Sequence, residues 1–151
     1  FAWRGRARDA CGRKAAALAD LKRAARLSPG LWAAHQALAE VHESRGEVRQ
    51  ALLSISTAAK RAPTTVSFLL MKARLELELG RFEAGLASTD RALQLDAGSS
   101  VARSLKARDF LARGMSRAAR GRIADFRRAL ALSPEMFSPE ERRTISGEAR
   151  S

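Results

Sequence analysis

The sequence is poor in the residues that covalent cross-links, metal motifs and aromatic cores require. Its 151 residues contain one cysteine, no tyrosine and an aromatic share of only 5%. A single cysteine, Cys11, forms no internal disulfide and completes no C-x-x-C metal motif, so we expect it to be a small packed side chain. The sequence also has no run of eighteen apolar residues and no apolar signal-peptide stretch at its start. Neither a membrane span nor secretion is indicated, and a cytoplasmic location is the default expectation.

The residues that are present favour a small helical protein. Hydrophobic residues make up 46% of the chain, which is enough for the core of one domain or one short repeat array. Alanine, leucine and arginine predominate, and this composition favours helices over strands. We therefore expect an all-α fold. The sequence begins at Phe1 rather than at a methionine, so it is compatible with a fragment of a longer protein, and it leaves the compartment and the oligomeric state undetermined.

The net charge of +12 is unevenly distributed along the chain. Residues 1–26 carry eight basic and two acidic side chains, and residues 103–128 carry nine and two. Residues 27–102 are balanced, with eight of each sign. A field of this kind attracts acidic partners but does not determine the fold.

An internal repeat of thirty-four residues is the strongest signal in the sequence. Small residues recur at the same interval, and so do the glycines. The glycines are Gly12, Gly46, Gly80 and Gly114, and the small or apolar series include Ala17, Ala51, Gly85 and Ala119, then Leu21, Ile55, Thr89 and Ile123. A fixed period of this length predicts a solenoid in which each unit buries its apolar face against its neighbours.

One unit, residues 32–65, illustrates the expected structure. Apolar residues recur at helical spacing on both sides of Gly46, which predicts two antiparallel helices joined at that glycine. Glycine supplies the left-handed backbone that ends the first helix, and Pro63 ends the second. Small residues such as Ala39 and Ala58 allow the two helices to approach closely.

In its periodic glycine and small residues the sequence resembles the tetratricopeptide repeat. This repeat is a helix-turn-helix unit of thirty-four residues with small residues at its eighth, twentieth and twenty-seventh positions. The resemblance implies a right-handed superhelical solenoid of antiparallel helix pairs. The copies are residues 1–31, 32–65, 66–99 and 100–134, and residues 135–151 are expected to form a short capping helix or a frayed tail.

The last copy departs from the period. Ala129 and Pro134 lie three residues later than expected, and we interpret this as an insertion that lengthens the second helix by nearly one turn. After the copy, Ser138, Pro139 and Glu141 have the spacing of a helix N-cap, a first helical position and a capping box.

The sequence shows no catalytic or cofactor motif. It has no phosphate loop, nucleophile elbow or Asp-rich metal loop. His35 and His42 share a helix face, but they occupy positions where the repeat carries large side chains, so we expect interhelical packing rather than a metal site. The sequence therefore predicts a protein that is not an enzyme and needs no cofactor.

The resemblance also implies a binding surface, because the first helices of tetratricopeptide repeats line a concave groove. Arg74 and Arg108, flanked by leucines, suit a protein or peptide partner that is acidic and partly apolar. It stays open whether these arginines are instead solvated or paired with Glu40, Glu76 or Glu78. The groove residues carried over from the family are Arg6, Glu40, Leu70, Arg74, Leu77, Val101, Ser104, Arg108 and Leu111.

Two alternative functions remain at this point. The basic ends suggest binding to RNA or a ribonucleoprotein, although aromatic residues for base stacking are lacking. The chain is also compatible with the interaction domain of a larger enzyme or of a secretion or assembly machine. The basic surface would consist of Arg117, Arg120, Arg122, Arg127 and Arg128.

Overall fold

The computed structural model describes residues 14–116 and 119–147, which form helices and turns without a strand. The chain divides into two compact units, residues 1–75 and 76–151. None of the helices in the described ranges is long and apolar enough to cross a membrane. The predictions for Arg6, Cys11, Gly12 and Arg117 lie outside the described residues.

The described part of the first unit, residues 14–75, contains three helices and most of a fourth. They are α1 (Lys14–Leu27), α2 (Trp32–Ser44), α3 (Val48–Arg61) and α4 (Val66–Glu78). Helices α1 and α2 pack through Leu21, Ala37, Leu38 and Val41, all of which are buried. This core consists of aliphatic side chains, as the scarcity of aromatic residues in the sequence requires.

Two of the periodic glycines form the turns that were predicted from them. Gly46 and Gly80 have φ angles of 72° and 70°, in the left-handed region that favours glycine. The amide of Glu47 donates to the carbonyl of His42 in one turn, and the amide of Arg81 donates to the carbonyl of Glu76 in the other. The same turn therefore recurs one period apart.

The small residues of the repeat lie in the core of each unit. Ala39 and Ala73 on first helices are fully buried, and so is Ala107 on the first helix of the last copy. The second helices bury Ala58 and Ala92 in the same way. A larger side chain at any of these positions would force the paired helices apart.

Within the residues of the second unit that the structure describes lie the end of α4, three longer helices and two short ones. The longer helices are α5 (Phe82–Leu95), α6 (Ser100–Ser116) and α7 (Ala119–Leu132). A 3₁₀ helix (Pro134–Met136) and α8 (Pro139–Ser146) follow. Ala107, Ala129 and Phe137 form the centre of a core cluster against which Ile145 of α8 also packs.

The three extra residues of the last copy lengthen its first helix, so the interpretation of a longer second helix is wrong. Helix α6 has 17 residues, whereas α2 and α4 have 13 each. Helix α7 has 14 residues, which is also the length of α3 and α5. As a result Ile123 is 53% exposed, although the period places it at the position equivalent to Ile55 and Thr89, which are both buried.

Gly114 consequently differs from the other periodic glycines. It lies inside α6 and is buried there rather than forming a turn. A Cβ atom at this position would lie 2.8 Å from Cε1 of Phe126 on α7. Gly114 therefore permits close packing between two helices, and its agreement with the turn period is not a sign of a turn.

Helix α8 begins with the capping box that its sequence predicts. The Glu141 amide donates to Oγ of Ser138 at 3.2 Å, and the Ser138 amide donates to Oε2 of Glu141 at 2.8 Å. The hydrogen bond from the Ser138 amide, followed by one from the Ser138 side chain, lowers the pKa of Glu141. Gly147 ends the helix with a φ of 78°.

Candidate functional site

Three of the candidate binding residues lie on one face of α4. Leu70, Arg74 and Leu77 are separated by four and three residues, so the helix brings them to the same side. Both leucines are half-buried. We call these three residues the α4 face.

Arg74 on the α4 face already has an anionic partner. Its Nη1 donates to Oε1 of Glu43 on α2, so an ion pair joins the first helices of two successive repeats. Glu40, one helical turn before Glu43, accepts a hydrogen bond from Nε2 of Gln36 at 2.8 Å. A ligand carboxylate at Arg74 must therefore compete with Glu43.

The four candidates on α6 also share a face, which we call the α6 face. Val101, Ser104, Arg108 and Leu111 are spaced by three, four and three residues. Val101 is 61% exposed, and Arg108 is exposed without a hydrogen bond or ion pair to any described residue. The α6 face thus presents an apolar side chain and an available guanidinium on one side of a helix.

The other two members of the α6 face are partly committed to the fold. Leu111 is half-buried and packs against the core cluster of Ala107, Ala129 and Phe137. Oγ of Ser133 donates a hydrogen bond to Oγ of Ser104 at 3.5 Å. Val101 and Arg108 are therefore the members most available to a partner.

Most described members of the basic surface make contacts inside the protein. Nε of Arg127 donates to the carbonyl of Ile145 at 3.0 Å, which holds the C-terminal end of α8. Arg128 lies 3.5 Å from Oδ1 of Asp125 and its guanidinium lies over the Phe110 ring at 5.6 Å. Arg122 is exposed but also has an interaction. The side chain of Arg120 lies outside the described part of the structure.

Sequence reasoning missed a buried ion network between α6 and α7. Nε and Nη2 of Arg113 donate to the two carboxylate oxygens of Asp125 at 3.0 and 2.6 Å, and Nη1 donates to Glu83 at 2.6 Å. Asp125 is fully buried. The hydrogen bonds that Arg113 donates to Asp125, and to a smaller extent the one it donates to Glu83, raise the pKa of Arg113. The charge pattern of the sequence gives no sign that Arg113 pairs with Asp125. The three extra residues of the last copy change which residues of α6 and α7 face each other.

A second buried carboxyl group, Asp109, was also missed. It is fully buried on α6, and neither of its oxygens has a hydrogen-bond partner in the described structure. Burial, and then the charge of Glu76, raise the pKa of Asp109 to about 7 against the opposing effects of Arg108 and Arg113. The sequence signal was Gly85, the one glycine at a position where earlier copies have alanine.

The histidines take part in packing and turn formation. His42 is buried, and its Nδ1 pairs with Oε2 of Glu47 at 2.5 Å across the Gly46 turn. That hydrogen bond, followed by one from Arg45, lowers the pKa of Glu47. His35 on the same helix is half-buried. Across residues 14–116 and 119–147, no cluster of three or more His, Cys, Asp or Glu side chains could hold a metal ion.

Solved structures with the same arrangement of helices place this chain among known folds. A MamA crystal structure superposes with a TM-score of 0.71 at 12% identity, over 95% of this chain and 88% of that chain. A second MamA structure, MamA MSR-1 C2, gives 0.67 at 17% identity over 88% and 75%. TTC0263, a thermophilic TPR protein of Thermus thermophilus, gives 0.59 at 20% identity over 98% and 87%.

The chain has the tetratricopeptide-repeat fold. No protein-family model and no curated protein sequence matches it. The tetratricopeptide fold was nevertheless visible in the sequence, because the period of the small residues is set by helix packing rather than by overall similarity. Identities of 12 to 20% carry the fold alone, so the function of this chain must be argued from its own surface.

Proposed function

We propose that this chain is a non-enzymatic scaffold that binds an acidic, partly apolar protein segment on its first helices, with the α6 face as the main contact. The observation that carries the proposal is that Arg108 and Val101, about two turns apart on the same face of α6, are both exposed. An exposed guanidinium can donate two parallel hydrogen bonds to a carboxylate, and the exposed valine on the same face can pack against an apolar side chain of the partner.

The charge distribution supports an acidic partner. The chain carries +12 in total, and residues 103–128 contain nine basic side chains against two acidic ones. Both acidic residues of this segment, Asp109 and Asp125, are fully buried. The exposed charge of the segment is therefore positive, and it increases the rate at which acidic segments encounter α6.

The proposal is tested with fluorescein-labelled peptides in which Asp and Glu alternate with Leu, titrated with the protein in a fluorescence anisotropy experiment. We expect Arg108→Glu to weaken binding by about tenfold or more. The variant loses a charged hydrogen bond to the peptide, and its new carboxylate repels the carboxylates of the peptide. The matched control is Arg91→Glu, an exposed arginine on α5 that donates to Gln94 at 3.0 Å. Equal affinities of the two variants would refute the assignment to the α6 face.

A second variant separates Arg74 from its ion pair. Arg74→Glu alone leaves two carboxylates facing each other at Glu43, so it can perturb folding as well as binding. The double variant Arg74→Glu with Glu43→Lys restores an ion pair of reversed polarity. If the α4 face also contacts the acidic peptide, the double variant binds more weakly than the original protein despite its intact pair.

The RNA hypothesis has a distinct outcome. Binding to phosphates weakens steeply with salt because counterions are released. A filter-binding titration with poly(U) at two salt concentrations measures this slope. Tight, salt-sensitive binding of poly(U) together with no binding of the acidic peptides would favour RNA over the proposed protein partner.

A further inference from the structure

Asp109 occupies a position where the two preceding repeats bury an aliphatic side chain. Leu75 lies one period earlier and Val41 lies two periods earlier, and these residues are 0% and 1% exposed. Asp109 is also 0% exposed. The last repeat therefore has a carboxyl group at a core position of the tetratricopeptide fold.

The neighbouring helix is shaped to admit this carboxyl group. A Cβ atom on Gly85 of α5 would lie 2.8 Å from Oδ1 and 2.9 Å from Oδ2 of Asp109. Earlier copies have Ala17 and Ala51 at the position of Gly85, and both are fully buried. The glycine thus gives Asp109 space but offers its oxygens no hydrogen bond.

The charged groups around Asp109 do little to stabilise an ionised carboxylate. Helix α4 supplies Glu76, a like charge that accepts from Oγ of Ser88 at 2.7 Å. On α6 itself Arg108 is exposed to solvent and Arg113 is bound to Asp125 of α7 and Glu83 of α5.

We propose that Asp109 is a pH-sensitive element of the second unit, which carries a proton when α6 is packed against α5 and loosens that packing when the proton is lost. A neutral carboxyl group is tolerated at a core position, whereas an unpaired ion is not. The proton on Asp109 therefore couples the packing of α6 to the pH of its surroundings.

The direction of the pH dependence follows from linkage. Burial raises the pKa of Asp109 from 3.8 to about 7, so the folded unit binds this proton more tightly than the unfolded chain does. The stability contributed by the proton is complete below pH 3.8 and is lost as the pH rises through about 7. Between these values the second unit becomes less stable as the solution becomes more alkaline.

Thermal unfolding of the full chain from about pH 5.5 to about pH 8.5, a range that brackets the raised pKa, tests the proposal with the isosteric variant Asp109→Asn. We expect the melting temperature of the original protein to fall up to about pH 7 and then to level off, and that of Asp109→Asn to fall less, so that the variant is the more stable protein at the alkaline end. The control Glu135→Gln removes an exposed carboxyl group of the same unit and should retain the original slope. His35 and His42 lie in the first unit and are unchanged in all three proteins.

If the melting temperatures of the original protein and of Asp109→Asn change with pH by the same amount, the proposal is overturned. If Asp109→Asn fails to fold, Asp109→Leu, which places the residue of Leu75 at the equivalent position, gives the same comparison. Carbon-13 NMR of the aspartate carboxyl groups in the original protein is independent of any variant. A titration midpoint near 7 for Asp109 supports the proposal, and a midpoint near 3.8 overturns it.

Discussion

Glycines in this chain have three different physical roles, although all of them lie at positions that recur every thirty-four residues. Gly46 and Gly80 supply a left-handed backbone, Gly114 admits an aromatic ring, and Gly85 admits a carboxyl group. The sequence identified the turn glycines because their role depends only on the local backbone. It did not identify the other two roles, because they depend on which side chain arrives from the next helix.

Substitution of a turn glycine tests the local role. We expect Gly80→Ala to lower the free energy of unfolding by about 1–2 kcal/mol, because an L-residue is disfavoured at its φ of 70°. Nothing lies within 4 Å of the added Cβ, so the cost is conformational rather than steric. Gly30→Ala is the control, since Gly30 has equal space and lacks a positive φ. Urea denaturation measures both variants, and similar effects of the two would contradict this account.

The helices of the repeats were predictable as elements, and the exception has a clear cause. The helical spacing of apolar residues on both sides of Gly46 predicted a pair of helices joined at the turn, and the structure confirms this helical organisation. In the last copy the backbone continues through Gly114 to Ser116, since glycine is compatible with a helix even though it does not favour one. The position of an insertion therefore cannot be read from the point where the period fails.

The ion network between α6 and α7 should stabilise the second unit unequally through its two carboxylates. We expect Arg113→Met to lower the free energy of unfolding by about 3–5 kcal/mol, because it leaves the fully buried Asp125 without its bidentate partner. Glu83→Gln should cost less than about 1 kcal/mol, because the Glu83 side chain is 73% exposed. Urea denaturation of the two variants under identical conditions gives the comparison. Equal losses would show that the burial of Asp125 does not determine the energy of this network.

At the scale of the whole molecule, the sequence predicted the fold better than the binding surface. The period depends on many small residues, so the loss of one position does not hide it. Partner binding depends on a few exposed side chains, and their availability is set by contacts that the sequence does not show. Arg74 pairs with Glu43 and Arg127 binds the end of α8, whereas Arg108 makes no comparable contact with a described residue.

Binding of an acidic, partly apolar segment to the α6 face can be observed residue by residue in solution. The experiment is NMR of the nitrogen-15-labelled chain, titrated with the Asp/Glu-Leu peptide at constant pH and salt. We expect chemical-shift changes to concentrate on residues 101–111, with Val101 and Arg108 among the largest. Changes confined to α7 and α8, or no change at peptide concentrations that saturate the anisotropy signal, would contradict this expectation.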